Sequence, residues 1–174
     1  MEATELRTRI GPVQIGIFLL ALAAGGVHLY LFLIEGFLGD SSMLPFYQVL
    51  FVGNFFGYVS LAAALCLPIS MLARFRPAIR VLLISMSVAA IISYFYVDVI
   101  DALGNVTKVI ELLLIVLVMV DAVMARKGRG EGGEEARGGV LGGAVVELVI
   151  SIVLGIVMVQ VIYWIARPIL ESFL

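Results

Sequence analysis

A single cysteine, Cys66, a single histidine, His28, and a single tryptophan are all that this 174-residue chain has of those three residues. One cysteine forms no intrachain disulfide and leaves the redox compartment unassigned, so Cys66, inside an apolar run, reads as a small buried hydrophobe. One histidine excludes a bis-histidine haem or a histidine-rich metal centre within one chain, and no C-x-x-C-H motif offers covalent haem attachment. No cofactor is therefore assigned, and no metal site is expected. Charge is scarce too: charged residues make up 14% of the chain and the net charge is −2. With no long basic stripe, nucleic acid is excluded as a partner. No G-x-S-x-G, Walker or Rossmann pattern is present, so neither a hydrolase nor a nucleotide-driven pump is expected.

What the chain has in abundance is apolar surface. It is 63% hydrophobic with a mean hydropathy of +1.17, more than one water-soluble core of this size can hide. The apolar residues gather into runs of about twenty, the length a helix needs to cross a hydrocarbon layer about 30 Å thick. Five spans are expected, at Val13–Ile34, Phe46–Met71, Val81–Val99, Val106–Met124 and Val140–Ala166. Lipid offers no partner to a free amide or carbonyl, and the runs lack the alternation of barrel strands, so all five should be helices. Arg7 and Arg9 before an apolar stretch, with Ala21-Leu22-Ala23, raise a secretory signal as an alternative for the first run. The run continues to Ile34, longer than a signal's apolar region, so it is read as a retained span.

The breaks between runs carry turn chemistry: Gly39-Asp40-Ser41-Ser42 leading to Pro45, Arg76-Pro77, and Gly104-Asn105 as turn and N-cap. Pro68 bends or terminates the inner end of the second span. With five spans, Arg7, Arg9, Arg74, Arg76, Arg80, Arg126, Lys127, Arg129 and Arg137 share one side, and only Lys108 and Arg167 fall on the other. Basic loops stay cytoplasmic, so the expectation is a multi-pass protein of the cell membrane with its N-terminus cytoplasmic and its C-terminus outside. The organisation that follows is a four-helix transmembrane bundle over 1–125, a flexible glycine-rich cytoplasmic linker over 126–143, and a fifth helix with a short outer tail over 144–174.

An ionisable side chain within a span costs several kcal/mol unless paired, neutralised or able to reach the surface, so His28, Asp98, Glu111, Asp121 and Glu147 carry most of the information. At about 1.5 Å per residue, His28 lies roughly 12 Å inward from Gly36 and Glu111 roughly 9 Å inward from Asn105. Asn54 and Tyr94 reach about the same depth by the same reckoning, roughly 13 and 10 Å inward. With Tyr58, these residues define an expected polar layer in the outer half of the membrane: His28 and Glu111 as a ligand or proton site, and Asn54, Tyr58 and Tyr94 as hydrogen-bonding groups. A plain hydrogen bond holding two helices together is the competing reading. Lys108, three residues before Glu111, is a second candidate partner for the carboxylate. Asp98 and Asp101 read as a solvated rim, Tyr30, Tyr94 and Tyr96 as an aromatic belt, and Asp121 as a span-end residue. Glu147 has no compelling partner beyond a loop arginine.

Gly53-Asn54-Phe55-Phe56-Gly57 is a G-x-x-x-G pattern, and Ala21, Ala24, Gly25 and Gly26 give the first span a small face, so close packing of the first two spans is expected through Gly25, Gly26, Gly53 and Gly57. The stretch Gly25-Gly26-Val27-His28-Leu29-Tyr30-Leu31, followed by Gly36-Phe37, Pro45 and Phe51, resembles small bacterial polytopic membrane proteins with a G-x-x-H-L-x-L first span, loosely the DoxX-like group. The resemblance implies a membrane helix bundle and no reaction; the fifth span departs from a four-helix pattern. The leading expectation is a non-enzymatic accessory subunit or small-ligand binder. The alternatives are a redox-associated membrane enzyme subunit handling a quinone or proton, and a structural oligomerising protein. The partners expected are the lipid bilayer and either further copies of the chain or a membrane partner subunit.

Overall fold

The computed structural model describes residues 10–38, 44–97, 101–127 and 136–173. Arg7, Arg9, Asp98, Arg129 and the break at 39–42 lie outside the described residues. Helix α1, Pro12–Leu31, continues into a π-helical segment, Phe32–Phe37; then come α2, Pro45–Cys66, a one-turn α3, Ser70–Ala73, and α4, Arg76–Val97. Helix α5 is Ala102–Lys127; α6, Ala136–Val161, runs through a second π-helical segment, Ile162–Ala166, into α7, Arg167–Phe173. The described residues contain no strand.

Local chemistry sets the ends. Proline opens α1 and α2, where its missing N–H would have had no intrahelical partner. Ahead of α1 the Gly11 N–H donates to Gln14 Oε1 at 3.1 Å. At the far end of α2, Leu67 is extended (φ −64, ψ 133) because Pro68 disfavours a helical residue before it. The expected second span to Met71 is thereby cut at Cys66. Helix α5 starts at Ala102, ahead of the expected Val106; Asp101 Oδ1 accepts the Gly104 N–H at 2.5 Å, so the cap is Asp101 and not the Gly104-Asn105 pair. The segment expected as a linker over 126–143 is helical at both ends, to Lys127 and from Ala136, and 128–135 lie outside the described residues.

Helix α1 packs on α2 and α5, and α4 packs on α2 and α5, so these four close a ring. Helix α6 lies outside the ring along α4, and α7 touches α2. The core holds Ile17, Ala21 and Ala24 of α1, Tyr58, Ala62 and Leu65 of α2, Leu83 of α4, and Leu114 and Val118 of α5. Gly25 faces the α2 backbone, where a Cβ would sit 3.3 Å from Phe55 O. The other glycines expected at that contact are elsewhere: Gly57 faces Met86 of α4, and Gly26 and Gly53 have open space where a Cβ would go. A G-x-x-x-G pattern permits close approach without requiring it.

Four helical stretches are long and apolar enough to cross a membrane: Pro12–Gly36, Pro45–Cys66, Arg76–Tyr96 and Gly139–Ile169. This all-helical architecture fits an integral membrane protein. Helix α5 is not among the four, yet it is built inside out for water. Ahead of the basic last turn, its ionisable residues Lys108, Glu111 and Asp121 are buried, whereas Val106, Val109, Leu112, Leu113 and Val116 are each at least 50% exposed.

Candidate functional site

The buried face of α5 carries Thr107, Lys108, Glu111, Leu114, Val118 and Asp121, one side of a helix at three- and four-residue steps. Glu111 is fully buried, and both oxygens of its carboxylate accept hydrogen bonds. Lys108 Nζ, one turn earlier, donates to Glu111 Oε2 at 2.6 Å and to the Ala90 carbonyl of α4 at 3.2 Å. Tyr58 OH, from α2, donates to Glu111 Oε1 at 3.1 Å, with the Ser87 hydroxyl of α4 beside the phenol. His28 of α1 comes to the same oxygen from the other side, its Nε2 4.0 Å from Oε1. All four helices of the ring thus converge on one carboxylate.

The geometry fixes the form of His28. Its Nδ1 lies 2.8 Å from the Ala24 carbonyl, which can only accept, so Nδ1 carries a proton and Nε2 is the variable position. At 4.0 Å the Nε2 contact with Glu111 is an electrostatic neighbour and not a hydrogen bond. The two nearer donors, Lys108 and Tyr58, hold the carboxylate.

Above this cluster lies a cavity of about 210 Å³. By helical position its inner end is set by His28, Asn54 and Lys108, while Glu111 does not line it. The walls are chiefly apolar, with Phe51 of α2, Met86 of α4 and Met158 of α6 among them, and exposed Glu35 and Asp101 belong to the lining. The π-helical segment that follows α6 closes one side through Tyr163, whose ring is 5.9 Å from Phe46 and 5.0 Å from Tyr96.

Of the five expected site residues, His28, Glu111 and Tyr58 meet directly. Asn54 lines the cavity wall, with no hydrogen bond to His28 or Glu111 among the described residues. Tyr94 also lines it, but its hydroxyl turns outward, donating to Asn105 Oδ1 at 3.1 Å and accepting the Asp101 N–H at 3.1 Å, so it ties α4 to the start of α5. Lys108, weighed in the sequence only as a competitor for Glu111, is a full member of the site, its Nζ 5.5 Å from the Tyr94 ring centroid. The three-residue spacing was the available signal. The contribution of α6 had none, because helix order does not say which neighbours an outer helix covers.

Two further ion pairs lie toward the opposite end. Arg80 Nη2 and Asp121 Oδ2 are 2.8 Å apart, both buried. Arg80 therefore belongs to a helix interior and not to a loop, and Asp121, expected at a span end, is buried against it. Arg126 Nη2 contacts Glu147 Oε1 at 2.5 Å, joining α5 to α6. Leu83, Leu114 and Val118, all fully buried, separate the Glu111 cluster from the Arg80–Asp121 pair. Glu111 and Asp121 stand about 15 Å apart along α5 by helical rise. The polar groups form separate layers with an apolar block between. No grouping of three or more metal-ligating side chains occurs among the described residues.

Compared with protein-family models, curated proteins and solved structures, the chain matches none of them.

Proposed function

We propose that this is a five-span membrane protein that binds a small amphipathic molecule in the cavity between α1, α2, α4, α5 and α6. The observation that carries the reading is the cavity's polarity: apolar walls around an inner end lined by His28 and by Lys108, whose ammonium is held by a carboxylate outside the lining. A largely apolar pocket with a few convergent polar groups is the usual form of a small-molecule site. An ammonium has three donors, and two of those on Lys108 are committed to Glu111 and Ala90. The apolar block beneath the cluster favours a binding role over transport, which needs a continuous polar route.

Helix α5 is the fifth span in this reading, supported by its apolar outward face and inward charges. The end bearing Arg74, Arg126 and Lys127 is cytoplasmic and the cavity opens toward the outer half, following the basic-residue asymmetry. The same reading keeps the DoxX-like resemblance as a proposal, carried by the His28 segment and the closed four-helix ring. As an accessory subunit, the protein acts beside a membrane partner and performs no reaction of its own.

The test is purification from native membranes followed by native mass spectrometry, wild type against Ala89→Phe, which fills the cavity from the α4 wall. A small molecule carried by the wild type and absent from a folded Ala89→Phe supports the proposal; identical bound species in both sinks it. Single cysteines at Asp101 and Lys127 in a Cys66→Ala background check the topology. An impermeant maleimide applied to intact cells should label the first and spare the second.

A further inference from the structure

The charges around the cavity narrow the class of ligand, on the reading that the cavity is a binding site. Lys108 and Glu111 cancel, so the cluster is neutral with a neutral imidazole. A ligand carboxylate set against Lys108 would leave a net negative charge in the low-dielectric interior, which is strongly disfavoured. Glu35 and Asp101 in the lining add to that penalty. A ligand cation fares no better at the buried end, because the charged group there is the Lys108 ammonium, with Glu111 behind it, while Glu35 and Asp101 are exposed and solvated.

Beside the Asn54 carboxamide of the wall, the buried end offers one donor from Lys108 and one acceptor from His28. The donor is the third N–H of Lys108. The acceptor is His28 Nε2, since the hydrogen bond from Nδ1 to Ala24 places the neutral ring's proton on the other nitrogen. A hydroxyl is the smallest neutral group that accepts from one and donates to the other. The remaining space suits one ring with a short chain: an engineered apolar cavity of about 150 Å³ holds benzene, and this one is about 210 Å³, with the Phe51 and Tyr94 rings in its walls. We infer that the cavity selects a neutral hydroxylic ligand of the phenol class, with Lys108 donating to the ligand oxygen and His28 Nε2 accepting its proton.

The experiment titrates three probes of nearly one shape into the full chain in lipid nanodiscs by calorimetry: 4-propylphenol, its methyl ether and 4-propylbenzoate. The phenol should bind roughly five- to tenfold tighter than the ether, the worth of one net hydrogen bond, and the benzoate weakest. His28→Phe should remove the phenol's advantage while the ether binds as before, and that retained binding shows that the variant is folded. Equal affinities for phenol and ether, or tightest binding of the benzoate, overturn the hydroxyl assignment and leave the cavity a binding site. Binding of none of the three overturns the assignment and the proposed function together.

Discussion

Lys108 and Glu111 are joined at 2.6 Å across one turn of α5, both buried, and they form the only close ion pair within a single helix among the described residues. A pair this local needs no other helix to form. Lys108 neutralises the carboxylate locally, and Tyr58 and His28 meet a compensated group. The interhelical polar contacts therefore cost less than four independent burials.

Removing one member of a buried pair leaves the other uncompensated. Glu111→Gln should lower stability by about 3–5 kcal/mol, measured as unfolding in a fixed detergent mixture. The double variant Lys108→Met/Glu111→Leu should recover most of that loss. A double variant no better than the single one would show that the cluster stabilises by more than charge compensation.

Tyr58→Phe tests the other hydrogen bond to the carboxylate. The ring stays and only the donor to Oε1 is lost, so the expected cost is about 1–2 kcal/mol. The loss should nearly vanish in a Glu111→Leu background, which a double-mutant cycle reads directly.

Helix lengths and polar depths were legible in the sequence because both follow from rise per residue. Depth alone places His28 and Glu111 in one layer, and in the bundle they are 4.0 Å apart. Which side chain takes the shorter contact was not legible, since depth is a one-dimensional coordinate and the face of a helix depends on its neighbours. Tyr94 shows the difference: right depth, wrong direction for its hydroxyl. Arg80 was misplaced for another reason. Arg76-Pro77 reads as a break, but proline is tolerated in a first helical turn, so α4 starts at Arg76 and carries Arg80 inside to Asp121.

Gly155 marks where α6 meets α4. A Cβ there would sit 2.8 Å from the Ser85 carbonyl oxygen and 2.9 Å from Val88 Cβ, atoms that cannot swing aside. Gly155→Leu should therefore cost at least about 1–3 kcal/mol and loosen α6, seen as faster protease cleavage between α5 and α6. At Gly53 the space is open, and Gly53→Ala should be neutral or stabilising by up to about 1 kcal/mol through reduced backbone entropy.

Gly143 presents a subtler case, because the obstacle is a side chain. The position of its missing Cβ is taken by the Arg126 guanidinium, which crosses the α6 backbone there to reach Glu147. Glu147 Oε2 is buried with no hydrogen-bond partner among the described residues, so the carboxylate depends on Arg126 through its other oxygen. Gly143→Ala should push the guanidinium aside and weaken the pair, costing about 1–3 kcal/mol. Gly142→Ala, at a neighbouring position with open space, should gain a few tenths of a kcal/mol to about 1 from helix propensity. The decisive comparison repeats Gly143→Ala in an Arg126→Met background. There the methyl group has no guanidinium to displace, and the substitution should become as favourable as the one at Gly142. A Gly143→Ala penalty that persists unchanged without Arg126 would mean that the glycine serves the path of the backbone and not the ion pair.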